Sequence, residues 1–173
     1  ALREAVARAL EECKLVLLSG GVSMGELDFV PETLAACGAE ILFHKLAIKP
    51  GKPTLFARLR NQGREARYLF GLPGNPVSAF VIFELLVKVL LYRLLGLHYR
   101  PRMARARLAE TVKRRDTERV EYRPVRLADG KVYPIPYHGS AHLNALSEAE
   151  ALLRLERGVQ RIEEGSEVDA RLL

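Results

Sequence analysis

A short apolar run followed at once by a glycine-rich turn constrains the fold of this chain more than any other feature. Leu15-Val16-Leu17-Leu18 leads into Ser19-Gly20-Gly21-Val22-Ser23-Met24-Gly25-Glu26-Leu27-Asp28, and a helix-like stretch follows. The apolar run, read as 14–19, has the texture of a buried strand, so the glycines mark a strand-to-helix loop. In that setting glycine lets backbone N–H groups approach an anion closely, and the N-terminus of the next helix adds positive potential. A carboxylate such as Glu26 or Asp28 beside an anion is unfavourable unless a metal or a catalytic task needs it. Anion cradle plus carboxylate points to phosphoryl-type chemistry. A glycine after a strand also serves simply to turn the chain, so the loop by itself leaves both readings open.

The rest of the first half alternates helix and strand. Residues 1–12 read as a helix with Leu2, Val6, Ala9 and Leu10 on one face. Residues 28–37 read as a second helix, with Pro31 tolerated in its first turn and Gly38 as its stop. Strands are expected over 41–48, 54–59 and 68–72. Asn61-Gln62-Gly63 would turn the last two into an antiparallel hairpin at the sheet edge. A long helix over 77–95 approaches membrane-spanning length, but Glu84, Lys88 and Arg93 interrupt it, and Glu84 with Lys88 makes an i,i+4 pair. It reads as a largely buried domain helix. This alternation predicts a doubly wound α/β sheet with ligands at the carboxyl edge of its strands.

After Gly96 the texture changes. Arg100-Pro101 reads as a linker, and strands are expected over 104–113, 118–127, 131–137, 151–155 and 167–173. Asp129-Gly130 is a strong hairpin turn, and Val168, Ala170 and Leu172 alternate with Glu167, Asp169 and Arg171 as a half-buried strand should. The expected organisation is an α/β domain over 1–97 and a small all-β domain over 98–173.

The chain has 173 residues, 49% of them hydrophobic, and a net charge of +6. Ten Lys/Arg against four Asp/Glu fall within 100–126, which favours an anionic partner. Interleaved aromatics or a recognition helix would be needed for nucleic acid, and neither is visible, so no nucleic-acid partner and no membrane is expected. Cys13 and Cys37 lack a CxxC or His partner pattern and read as buried free thiols of a reducing, cytoplasmic compartment. The mixed-charge N-terminus has no apolar core of a signal peptide. His44, His98, His138 and His142 have no metal-ligand spacing.

Two further motifs carry chemistry. Lys45-Leu46-Ala47-Ile48-Lys49-Pro50-Gly51-Lys52-Pro53 sets three lysines around a Pro-Gly turn. Prolines stiffen that loop, and fixed cations lose less entropy on binding an oxyanion than floppy ones. Surface lysines beside a turn are also commonplace. Gly71-Leu72-Pro73-Gly74-Asn75-Pro76-Val77-Ser78 is a second glycine-rich loop between strand and helix, readable as a rigid turn with an N-cap.

These three segments, in this order, resemble the molybdopterin molybdenumtransferases, the family that includes MoeA and the gephyrin E domain. The resemblance implies the C-terminal portion of a longer protein. It implies a molybdopterin-binding-like α/β domain, N-terminally incomplete, followed by a small barrel-like β domain. The implied activity is insertion of molybdate into adenylylated molybdopterin with release of AMP, with Mg²⁺ as cofactor and a homodimeric full-length protein. By motif position it implies catalytic roles for Asp28, Lys45 and Lys49, with Asp28 also the Mg²⁺ ligand. Gly20, Gly21, Ser23, Lys52, Pro73, Pro76 and Ser78 are implied in substrate binding. Arg119, in Arg119-Val120-Glu121-Tyr122-Arg123, and Ser140, after Gly139, match positions that bind molybdate. The chain departs from the family by carrying Ala141 and Ala149-Glu150 where a second serine and an Ala-Asn pair are frequent. Two other functions fit parts of the pattern: adenylylation of molybdopterin by a related α/β fold, and a non-catalytic molybdopterin-binding scaffold. The attached β domain and the lysine loop speak against adenylylation.

Overall fold

A computed structural model describes residues 2–21, 29–60, 65–136 and 144–173. Its helices are α1 (Leu2–Glu12), α2 (Val30–Ala36), α3 (Pro76–Ile82), α4 (Lys88–Leu94) and α5 (Asn144–Ser147), with a π-helical segment, Phe83–Val87, joining α3 to α4. Its strands are β1 (Leu15–Ser19), β2 (Glu40–His44), β3 (Ile48–Lys49), β4 (Leu55–Leu59), β5 (Arg67–Leu72), β6 (Met103–Leu108), β7 (Val112–Lys113), β8 (Val120–Ala128), β9 (Lys131–Pro134), β10 (Ala151–Leu155), β11 (Arg161–Ile162) and β12 (Glu167–Leu172). They fall into two compact units, 1–46 with 51–91 and 47–50 with 92–173.

The first unit is a mixed sheet in the order β1-β5-β4-β2. Strands β1 and β5 run parallel, while β4 is antiparallel to both β5 and β2. The expected hairpin of 54–59 with 68–72 therefore forms, but β2 flanks it and takes the edge; the turn at 61–63 lies outside the described residues. Side chains alternate across a strand. Leu55 and Ala57 of β4 accordingly join Val6 and Leu10 of α1, Val30 and Leu34 of α2, Val16 and Leu69 in one apolar cluster. Phe56 points to the opposite face and stacks on Phe70 at 4.4 Å and Tyr68 at 5.9 Å. Two expected core positions are open: Leu2 is 43% exposed and Leu17, on edge strand β1, is 42% exposed. The cysteines are free, but Cys13 is exposed and Cys37 only half-buried. Lys88 Nζ meets Glu84 Oε2 at 2.8 Å, as the i,i+4 spacing predicts. No helix among the described residues is long and apolar enough to cross a membrane.

The second unit contains a barrel of five strands. Its order is β10-β12-β6-β9-β8, and a β8–β10 pairing closes it. Alternation along β12 buries Val168 and Ala170 among Leu108, Val112, Val125, Val132 and Leu153. The β8–β9 turn carries Asp129 at φ 49° and Gly130 at φ 69°, the two positive values a type I′ hairpin requires. The expected strand over 104–113 is interrupted: β6 stops at Leu108, and β7 pairs separately with β11. The expected strand over 41–48 is also two strands. Lys45 takes φ 102°, which breaks the pleat after His44, and β3 pairs with barrel strand β8 instead of continuing β2.

Candidate functional site

Parallel pairing of β1 and β5 brings Gly20-Gly21 and the start of the second glycine-rich loop to the same, carboxyl end of the α/β sheet. Gly20 N–H donates to the Leu72 carbonyl at 3.1 Å, and a Cβ on Gly74 would lie 3.7 Å from the Gly20 Cα. Gly20 and Gly21 have φ 81° and 66°, a consecutive left-handed pair that ends the extended backbone of β1. Asn75 caps α3: its Oδ1 accepts from Val77 N–H at 2.9 Å and Ser78 N–H at 3.2 Å. Pro73 and Ser78 are buried and Pro76 is exposed. Ser23, Asp28 and Ser140 lie outside the described residues.

The lysine loop is pinned at both ends. Lys45 N–H donates to Thr54 O and Leu46 N–H to Lys52 O, each at 2.9 Å. Thr54 Oγ1, fully buried, donates to Gly51 O at 2.7 Å. Gly51 has φ 122°, and a Cβ there would fall 2.5 Å from Ile82 Cδ1, so both its conformation and its space exclude a side chain. Lys45 and Lys52 are exposed in this unit. Lys49 belongs, with the rest of 47–50, to the barrel unit. There Val120 N–H donates to Ala47 O at 3.0 Å, and the parallel register sets Lys49 opposite Glu121. The Lys49–Pro50 peptide is cis.

Around Lys49 the barrel unit gathers charge that single positions in the sequence did not mark. Glu121 is 5% exposed; its Oε1 accepts from Arg123 Nε at 2.7 Å. Its Oε2 lies 3.4 Å from Lys49 Nζ and 3.9 Å from an Arg114 nitrogen, yet accepts no hydrogen bond. Arg114, also 5% exposed, grips three carbonyls: Val159 O at 2.5 Å, Arg119 O at 2.9 Å and Glu156 O. Arg119 donates to Asp116 Oδ2 at 2.6 Å. That bond, the Glu118 backbone N–H and the nearby charge of Lys49 hold the Asp116 carboxyl below its usual range. Asp116 is thus bonded to Arg119 and lies within the field of Lys49.

Two cavities open here. One, of about 760 Å³, is lined by Lys49, Lys113, Arg115, Asp116, Arg123 and Arg161, with Arg114 and Gln160. The other, of about 710 Å³, shares Lys49, Lys113 and Arg123 and adds Glu121. Six cations facing one carboxylate in the larger cavity favour a multiply charged anion with several acceptor oxygens. Sequence reasoning singled out Arg119 but missed Lys113, Arg114, Glu121 and Arg123 as a set. The available signal was the Lys113-Arg114-Arg115 run lying close before the Arg119–Arg123 motif. Among the described residues no group of three His, Cys, Asp or Glu side chains is placed to hold a metal ion.

Comparison with known proteins supplies the class and then the family. Residues 1–93 match the model described as a probable molybdopterin binding domain, and residues 105–173 match the MoeA C-terminal region, domain IV. A molybdopterin molybdenumtransferase of Staphylococcus epidermidis is 34% identical over 170 residues, covering 96% of this chain and 39% of that protein. The Staphylococcus aureus protein of the same name is 32% identical over the same shares. The molybdopterin biosynthesis MoeA protein of Pyrococcus horikoshii superposes with a TM-score of 0.80 at 30% identity, over 99% of this chain and 40% of that one. A molybdenum cofactor biosynthesis protein of Pyrococcus furiosus gives 0.76 at 28% identity, over 99% and 54%. A molybdopterin-binding α/β unit followed by a MoeA-type barrel defines the class. The chain belongs to the MoeA family of molybdopterin molybdenumtransferases, and it spans 39% of the length of the curated relatives it matches.

Proposed function

We propose that the chain acts in molybdenum cofactor biosynthesis, as part of a transferase that inserts molybdate into adenylylated molybdopterin and releases AMP. The observation that carries this reading is the succession, in one chain, of a molybdopterin-binding region and the MoeA C-terminal region. The glycine loops at the end of β1 and β5 suit the pterin phosphate end of the substrate. Because Gly20 N–H is engaged by Leu72 O, Gly20 contributes shape, while amide donation falls to Gly21 and Ser23. Pro73, Pro76 and Ser78 belong to the second loop, which Asn75 fixes on α3 before any ligand arrives.

By motif position Lys45 and Lys52 of the α/β unit neutralise substrate anions, and in the barrel unit Lys49 and Arg119 do so, with Ser140 assigned to molybdate. The dithiolene thiols of the pterin replace oxo groups, their protons leaving with oxygen as water, and hydrolysis of the phosphoanhydride frees AMP. Mg²⁺, if held by Asp28, would stabilise charge at the scissile phosphate. Among the described residues no group of three His, Cys, Asp or Glu side chains adds a further ligand set for it. The reading includes a homodimer working in the cytoplasm without membrane or nucleic-acid partners.

The test is AMP release from adenylylated molybdopterin with and without molybdate, followed by chromatography. Release that requires molybdate and is lost in Lys49→Ala supports insertion. ATP-dependent adenylyl transfer with no molybdate response supports the adenylylation reading, and peptide affinity without any AMP release supports a scaffold.

A further inference from the structure

We infer that Glu121 and Asp116 are internal counter-anions for Lys49 and Arg119, and that they hold down the affinity of this seat for tetrahedral oxyanions, doubly charged ones more than singly charged ones of the same shape. The inference rests on the proposed role of Lys49 and Arg119 as oxyanion ligands. Both cations are already paired with carboxylates of their own unit: Lys49 with Glu121 at 3.4 Å, and Arg119 with Asp116 at 2.6 Å. An arriving oxyanion must therefore displace a carboxylate rather than fill a vacancy.

Glu121 is built for this role rather than left over from folding. The β3–β8 register sets it directly opposite Lys49, and Arg123 holds its Oε1 at 2.7 Å, so the carboxylate cannot swing away. Its Oε2 is buried and accepts no hydrogen bond, although it borders the cavity that Lys49, Lys113 and Arg123 also line. A buried carboxylate costs free energy unless it is well paired, and this one is paired on only one oxygen by a bond of good geometry. Asp116 does the same work from the exposed side.

Charge then decides which ligand wins. At a given distance the Coulomb attraction of a cation for a dianion is about twice that for a monoanion. Both ligands must break the same internal pairs, and the two carboxylates repel a dianion about twice as strongly as a monoanion. Replacing either acid by its amide removes the competitor and the repulsion together, and the gain is larger for the dianion.

The experiment is calorimetric titration of the full chain with molybdate, a tetrahedral dianion, and perrhenate, a tetrahedral monoanion of similar size. The original chain is expected to bind molybdate at least about tenfold more tightly than perrhenate. In Glu121→Gln and in Asp116→Asn both anions are expected to bind more tightly, and the preference for molybdate to widen at least about threefold. Asp116 is exposed enough that its amide variant tests the idea even if Glu121→Gln does not fold. A preference that stays unchanged or narrows would overturn the counter-anion role while leaving the oxyanion seat intact. Failure of the original chain to bind either anion would instead remove the oxyanion reading on which the inference stands.

Discussion

Arg114→Ala is the substitution whose cost can be worked most directly from the barrel unit. The side chain is 1% exposed and donates to the carbonyls of Val159, Arg119 and Glu156. It thereby ties the segment before β8 to the loop between β10 and β11, a connection that Gly158 N–H to Thr117 O and Arg114 N–H to Gln160 O reinforce. Truncation leaves three acceptors without their donor and removes a cation from beside Glu121. Hydrogen bonds to a charged donor contribute about 1.5–3 kcal/mol each, but the adjoining cavity admits water to some of the freed carbonyls. The loss of a buried charged partner typically comes to about 3–5 kcal/mol, and that is the expected destabilisation of this unit. Arg114→Lys keeps the charge near Glu121 without the planar fork, so it is expected to recover less than about half of the loss. The chain contains no tryptophan, so urea unfolding is best followed by circular dichroism, with hydrogen exchange at Gly158 and Arg114 reporting this region alone. A cost under about 1 kcal/mol, with those two amides still protected, would refute the clamp.

Three other outcomes follow from the same geometry. Gly51→Ala combines an unfavourable φ with a Cβ inside contact distance of buried Ile82; it should destabilise the α/β unit by about 2–5 kcal/mol, and an unchanged urea midpoint would contradict this. Asn75→Ala removes both acceptor bonds at the start of α3 and should cost about 0.5–2 kcal/mol, with Asn75→Asp restoring most of it; equal losses in the two variants would count against capping. Asp116 has a depressed folded-state pKa, caused first by its Arg119 bond, so its contribution is present above the ordinary value of 3.8 and is lost as pH falls through the lower folded value. Side-chain NMR should place its midpoint below 3.8, and a midpoint at or above that value would dissolve the ion pair as described.

Local patterns made much of the fold readable, and each success has a local cause. Strand β12 was legible because Val168 and Ala170 alternate with charged neighbours, and the β8–β9 hairpin because Asp129-Gly130 suits two positive φ values. The errors arose where distant partners decide the outcome. Residues 41–48 look like one apolar strand, yet the backbone of Lys45 bonds to Thr54 and that of Ala47 to Val120, so the segment divides between two sheets. No window around His44 contains Thr54 or Val120. Similarly, 104–113 has continuous strand propensity, but Leu108 N–H is taken by Ser166 O and Val112 pairs with Ile162. The short strand β11 exists only as that partner.

The site was legible to a different depth, for a reason rooted in charge. A lysine or arginine in a sequence declares its own sign but not what neutralises it. Lys49 and Arg119 stand out by motif position, whereas their carboxylate partners lie 72 and 3 residues away, Glu121 inside the Arg119–Arg123 motif without a role of its own and Asp116 between two expected strands. For Arg119 and Asp116 the pair is local, and spacing alone allowed it. For Lys49 and Glu121 it depends on a two-residue strand docking parallel to β8, which no periodicity announces. The consequence is functional as well as structural. A cation whose partner is an internal carboxylate binds an external anion only by exchange, so the affinity of this seat depends on Glu121 and Asp116 as much as on Lys49 and Arg119. Counting positive charges along 100–126 therefore overstates the free attraction available to a ligand, because each internal carboxylate lowers the positive potential that the ligand meets.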